Sequence, residues 1–293
     1  MKYIESPLNY IGGKEKLLSQ IFPFFPKNIN TFVDLFCGGG CVGINTPSNK
    51  VIFNDKMPYL IEIYKTLKEQ PLSITFQQIN NIIRKHNLSK NNKKTFLEFR
   101  EYINSKDEKL PIEILTIIFF SFNNQIRFNS KGHYMTTSGK GRSNFNSSIK
   151  NKLQKFILKL QKLNCEFSDK DFREFNFDEL NENDFVYIDP PYFLTDSEYC
   201  RKCKDEGWNE NTEKALYDIL LGLNSRNIKW ALSNVLEHKG KFHHLLDNFV
   251  RENNFNMIFL NKQYNNCSYG AIKKSNSKEV LVTNYLVKRN TLF

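Results

Sequence analysis

Phe185-Val186-Tyr187-Ile188 is a run of aromatic and β-branched residues, with polar Asn183-Asp184 before it and Asp189-Pro190-Pro191-Tyr192 after it. The run reads as a short buried strand. Two consecutive prolines remove two backbone donors, so the strand cannot continue through them. Asp189 to Tyr192 therefore sit where a strand leaves a sheet, the place where open α/β sheets hold their ligands. Pro190 and Pro191 stiffen the turn and leave fixed carbonyl acceptors beside one carboxylate and one aromatic face. That set suits a flat, amine-bearing substrate. Asp189 and a proline carbonyl would accept its N–H bonds, and Tyr192 would stack on its ring.

The flanking sequence alternates in the same α/β manner. Thr31 to Phe36 and Val51 to Asp55 read as strands, each running into a loop, with helices over Lys14 to Phe22 and Tyr59 to Leu67. Further on, Ile149 to Leu163, Thr212 to Asn224 and Phe242 to Asn253 read as helices. Glu166 to Ser168, Trp230 to Asn234 and Val280 to Tyr285 read as strands. Such alternation predicts βαβ units.

Residues 66–150 differ. Ile79 to His86, Lys94 to Asn104 and Pro111 to Asn123 read as helices. Gln125 to Thr137 reads as a hairpin turning at Gly132, followed by a basic loop through Lys140 and Arg142. The expected organisation is a core of residues 1–65 and 151–293, interrupted by a mainly helical insert with a β-hairpin.

Charge marks the same region. The chain of 293 residues has a net charge of +11, and residues 66–160 hold 17 Lys and Arg against 6 Asp and Glu. The remainder carries 25 of each sign. Positive charge confined to one third of a chain points to a polyanion partner, because phosphate neutralisation releases counterions. No stretch approaches the ~20 apolar residues of a membrane span. The start, Met1 to Pro7, is too polar for a signal peptide, so cytoplasmic residence is expected. Cys37, Cys41 and Cys165 read as buried small hydrophobes. Cys200 and Cys203 form a C-x-x-C without a second pair, so no metal is expected.

Three further pieces carry chemistry. Asp34-Leu35-Phe36-Cys37-Gly38-Gly39-Gly40 follows the first strand, and its glycines allow close backbone approach to a ligand. Gly38, Gly40 and Gly43 formally fit G-x-G-x-x-G, so a dinucleotide fold stays open on this motif alone. Asp55 ends the next strand, where an acid can bond ribose hydroxyls. Asn9-Tyr10-Ile11-Gly12-Gly13-Lys14 leads into a helix and reads equally as a phosphate loop or as a plain helix entry.

In this order, the four pieces resemble the Dam-type DNA adenine methyltransferases, the alpha group. The resemblance covers nearly the whole chain. It implies a Rossmann-like methyltransferase fold, a mixed sheet with helices on both faces, with the target-recognition insert where the basic segment lies. It implies S-adenosyl-L-methionine as methyl donor and double-stranded DNA as substrate, in a bacterial or phage-encoded protein acting as a monomer or weak dimer. Tyr10, Lys14, Asp55 and Asp189 would contact the donor. Asp34, Phe36, Gly38 and Gly40 would shape its pocket, and Asp171-Phe172 would border its adenine. Asp189, Pro190, Pro191 and Tyr192 would form the catalytic turn. Ser233-Asn234 matches a later strand-end motif.

Phe122-Asn123-Asn124-Gln125-Ile126-Arg127-Phe128-Asn129 resembles the family's DNA-reading hairpin. The resemblance implies that Arg127 reads a guanine through two parallel hydrogen bonds. Phe122 and Asn123 would contact or wedge into the duplex, and Asn129, Lys140 and Arg142 would add DNA contacts. After the turn, readers of GATC in this family carry Phe-Asn-x-Pro-Phe-Gly, whereas this chain has Tyr134-Met135-Thr136-Thr137-Ser138-Gly139. Without that proline the resemblance does not imply GATC, and a different short site, such as another four-base palindrome, is open. The implied reaction flips the adenine out of the duplex and methylates its amine with no metal and no covalent enzyme intermediate.

Overall fold

The computed structural model describes residues 3–10, 12–194, 208–261 and 277–286. Among them are eight strands: β1 (Thr31–Asp34), β2 (Lys50–Asn54), β3 (Cys165–Ser168), β4 (Phe185–Ile188), β5 (Lys229–His238), β6 (Lys241–Phe242), β7 (Asn256–Leu260) and β8 (Ser277–Thr283). Eight α-helices accompany them: α1 (Leu18–Ile21), α2 (Pro58–Glu69), α3 (Leu72–Lys85), α4 (Lys93–Asn104), α5 (Pro111–Phe120), α6 (Ser147–Lys162), α7 (Glu210–Ser225) and α8 (His244–Glu252). The sheet order is β3-β2-β1-β4-β5-β8-β7, with β6 pairing to β5 off that path. β1, β4 and β5 are parallel; β8 and β7 add antiparallel strands beyond β5. This is an α/β fold on a mixed sheet. No helix among the described residues is long and apolar enough to cross a membrane.

Two compact units divide the chain. One holds residues 1–15, 37–45 and 53–169; the other holds 16–36, 46–52 and 170–293.

In the second unit β4 is the central strand, and all four of its side chains are fully buried. Burying each such side chain is worth about 1.5–3 kcal/mol. Val186 and Ile188 join the core under α7 and α8, with Val33, Leu35, Leu216, Leu220, Trp230 and Leu246. Phe185 and Tyr187 face the other way, where Phe185 packs on Phe25 and Phe32 and Tyr187 on Phe25. A strand buried on both faces needs continuous rather than alternating apolar sequence, as this one has. Asp34 pairs in register with Tyr187, and Ile188 with Leu232. Asp34 therefore ends β1 and Asp189 follows β4, while Ser233 lies level with Asp189 inside β5, which continues to His238 beyond the expected end at Asn234.

In the first unit α5 is the hub. Every residue after Pro111 is buried, and α2, α3 and α4 pack around it. Prolines at Pro58 and Pro111 occupy first-turn positions, where the missing N–H costs nothing.

Several elements differ from expectation. The expected helix from Lys14 to Phe22 shrinks to α1 followed by a 3₁₀ turn over Phe22–Phe24, because Pro23 offers no donor for a continuing helix. α3 begins at Leu72, well before Ile79, with Pro71 as its N-cap. α8 begins at His244 because the His243 ring accepts the Leu246 amide at 3.2 Å as an N-cap, while Lys241–Phe242 pair with β5. β7 was not expected from the sequence. Cys37 and Cys41 are buried and Cys165 is half-buried. Cys200 and Cys203 lie outside the described residues.

Candidate active site

The glycine turn of the first unit is built by hydrogen bonds that leave little freedom. The Cys37 amide donates to the Asn54 carbonyl at 2.8 Å, and the Gly40 amide to the Cys37 carbonyl at 2.7 Å. Gly38 and Gly40 have φ of +45° and +69°, in the left-handed region that favours glycine. A Cβ on Gly38 would stand 2.9 Å from the Tyr10 ring. One on Gly40 would stand 3.3 Å from the Tyr64 hydroxyl. The turn thus presents bare backbone beside an aromatic face.

Asp55 lies under this turn. Its Oδ2 accepts the Gly38 amide and its Oδ1 the Met57 amide, both at 3.0 Å. Burial pushes the carboxyl above the usual carboxylate range, while those two amides and Lys56 pull it back. Tyr10 is half-buried, and burial followed by the Asp55 charge raises its phenol well above the ordinary value. Tyr64, which sequence reading missed, donates from its hydroxyl to the Gly38 carbonyl at 2.6 Å. Its only sequence signal was an inward position on α2. Lys14 is 1% exposed, and its Nζ donates to the Gly12 carbonyl at 2.7 Å, so the ammonium braces its own loop.

The second unit carries the remaining expected residues. Asp34 is buried. Asp189 follows β4, with Pro190 buried and Pro191 exposed. The Tyr192 hydroxyl donates to Asp189 Oδ1 at 3.2 Å. Phe36 and Phe172 pack with ring centroids 5.5 Å apart, and Trp208 closes a triad at 5.7 Å from Phe36 and 5.5 Å from Phe172. Trp208, a lone aromatic before α7, was also missed. Asp171 is engaged by Arg173 through both carboxylate oxygens, at 2.7 and 3.0 Å. Ser233 Oγ bonds the Tyr187 hydroxyl at 2.7 Å, tying β5 to β4 just before the Asp189–Tyr192 turn.

The expected hairpin exists as paired backbone without regular strands. Isolated bridges join Ser121 to Ser138 and Phe128 to Tyr134. The Met135 amide donates to the Arg127 carbonyl at 2.9 Å, and Gly132 turns the chain with φ of +69°. Asn104 holds Tyr134 by its amide and its carbonyl, and the Tyr134 hydroxyl bonds Ser121 Oγ at 2.7 Å. Phe128 stacks on Tyr59 of α2 at 4.1 Å. On this base Phe122, Asn123, Lys140 and Arg142 are exposed, and Arg127 is half-buried. Asn129 is committed to the turn: its Oδ1 accepts the Lys131 and His133 amides. The Asn9 amide donates to the Asn124 carbonyl at 3.3 Å, joining the first motif to the loop at Phe122–Asn124.

A carboxylate and rigid prolines follow a buried parallel strand in one unit, and a glycine turn lies over a second acid in the other. Residues 10–266 match the model of the D12 class N6 adenine-specific DNA methyltransferases, and the chain belongs to that family. It is 44% identical over 288 residues to modification methylase StsI of Streptococcus sanguinis, covering 98% of this chain and 44% of that protein. It is likewise 44% identical over 286 residues to the type II methyltransferase M.FokI of Planomicrobium okeanokoites, covering 97% of this chain and 43% of that one. The DNA adenine methylase of Vibrio cholerae is 27% identical over 222 residues, about three quarters of each chain. The chain thus spans less than half the length of the two relatives it matches at 44%.

Proposed function

We propose that this chain transfers a methyl group from S-adenosyl-L-methionine to the exocyclic amine of a flipped adenine in a short duplex site, as the modification enzyme of a restriction-modification or Dam-like system. The observation that carries this reading is the Asp189 carboxylate, oriented by Tyr192 on a rigid proline turn at the carboxyl end of β4.

Each unit by itself carries groups suited to the donor. Gly38 leaves a space that any side chain would fill with a clash against Tyr10. Asp55 keeps lone pairs for ribose hydroxyls beyond the two amides it accepts, and Phe36 with Phe172 offers a flat aromatic wall for a purine. When bound, the donor supplies an electrophilic methyl on a sulfonium sulfur. The amine nitrogen forms one bond to that carbon as the carbon–sulfur bond breaks, and the nitrogen then loses one proton to water.

This chain's residues prepare the amine. Asp189 and the Pro190 carbonyl accept its two N–H bonds, drawing the nitrogen toward tetrahedral geometry and concentrating its lone pair. Tyr192 stacks on the ring. Most of the acceleration comes from positioning, with stabilisation of the charge developing on nitrogen supplying the rest.

Residues 66–150 serve as the DNA-recognition insert. Arg127 reads a guanine from the braced hairpin, Phe122 and Asn123 meet the duplex beside the target, and Lys140 and Arg142 contact phosphates. Asn129 acts through the turn it holds. Incubating the purified chain with methyl-labelled donor and duplex DNA, RNA or protein tests the whole reading. Label recovered as N6-methyladenine from duplex DNA supports it, and label in RNA or protein alone refutes it.

A further inference from the structure

Glu213 is the most unusual charged group in the second unit. It lies in the first turn of α7 and is fully buried, and among the described residues no Lys or Arg pairs with it. Its Oε1 accepts the Tyr217 hydroxyl at 2.8 Å and the Asn234 amide at 3.0 Å, and His243 Nε2 stands 3.3 Å away. Its Oε2 accepts the Trp208 indole N–H. His243 Nδ1 accepts the Leu246 amide, and the ring's other nitrogen makes no hydrogen bond among the described residues, so His243 lies beside the carboxylate without being held by it.

These partners lead outward to both parts of the site in this unit. Trp208 closes the triad with Phe36 and Phe172. The His243 ring packs on Phe193, the residue after Tyr192, at 5.4 Å. Asn234 lies inside β5, next to Ser233, which bonds the Tyr187 hydroxyl of β4. A buried carboxylate without a cation is a poor source of stability, since an apolar side chain of similar size would serve α7 better. Its use is directional: two oxygens fix donors on opposite sides.

We propose that Glu213 is a positioning residue that fixes Trp208 as a wall of the slot for the donor's adenine. The proposal rests on the donor-binding reading above. It makes a specific demand of Glu213→Gln. A glutamine keeps one acceptor, which the two donors on the Oε1 side, Tyr217 and Asn234, both need, so its NH₂ must face the Trp208 N–H. Two donors then oppose each other, and Trp208 is released while the rest of the cluster holds.

The test uses 5-fluorotryptophan in the full chain, which has two tryptophans, with the Trp208 resonance identified by its loss in Trp208→Phe. In E213Q the Trp208 fluorine signal shifts or broadens and that of Trp230 does not. Calorimetric Kd for S-adenosylmethionine rises at least fivefold, while the KM for DNA stays within twofold. The double variant E213Q/W208F binds the donor no more weakly than W208F, because no N–H remains to oppose the new amide. An unchanged donor Kd in E213Q, or an equal further loss in the W208F background, overturns the proposal. Should E213Q fail to fold, W208F alone must weaken donor binding at least fivefold, and an unchanged Kd there overturns it equally. A wild-type chain that fails to bind the donor would sink the donor reading instead, while the Trp208 signal would still report the anchor.

Discussion

The Tyr192 hydroxyl donates to Asp189 Oδ1 across the two prolines that separate them, at 3.2 Å. One aromatic thereby has two duties in the proposed reaction: its ring face meets the base, and its hydroxyl holds the carboxylate that accepts the base's amine. The duties separate by mutation. Tyr192→Phe keeps the face and loses the hydrogen bond, so kcat should fall by up to about tenfold, the worth of one such bond. Tyr192→Ala should fall much further. Single-turnover methylation of duplex DNA measures both, and equal losses would show that the ring face is not used.

Gly38→Ala should damage the donor side. A left-handed backbone costs a non-glycine residue about 1–2 kcal/mol, and the new Cβ would press on Tyr10 at 2.9 Å. Lower stability in urea titration, together with weaker donor binding, is expected. Intact donor affinity would mean that the turn is only a structural bend.

Donor affinity should depend on pH through Asp55. Burial raises this carboxyl above its ordinary value, so the folded chain holds a proton that the unfolded chain has released. Stability from this group is therefore greatest below the ordinary carboxyl value and is lost as pH rises through the window up to the raised one. Ribose hydroxyls need the ionised form, so binding runs the other way and weakens as pH falls through that window. Calorimetry from neutral to mildly acidic pH, with Asp55→Asn as the control that flattens the profile, checks both signs.

The helices α2 and α5 and the glycine turn were largely legible in the sequence, because each rests on local signals. The prolines opening α2 and α5, the apolar run of α5 and the glycines after β1 state their conformations directly. What stayed hidden depends on distant partners. Tyr64 gains its role from a carbonyl 26 residues away, and Glu213 from Asn234 and His243 on other elements. β7 is half-exposed, without clean alternation, and is a strand because β8 pairs with it. Lys14 and Asn129 also bond within their own loops, contacts that the local sequence does not announce.

Arg127→Ala should cost about 1–3 kcal/mol of discrimination at one guanine and much less of total affinity. Competition binding with single-base variants of the methylated site measures it. An equal loss on every sequence would make Arg127 a phosphate contact, and the salt slope would then fall by about one.

The most direct measurement is the rate of methyl transfer by Asp189→Ala to duplex DNA, set beside its affinity for the same DNA. Removing the carboxylate should lower kcat by at least about a thousandfold, as loss of a group placed against developing charge does, with DNA binding changed only a few fold. A variant that methylates adenine at near the wild-type rate would contradict the account.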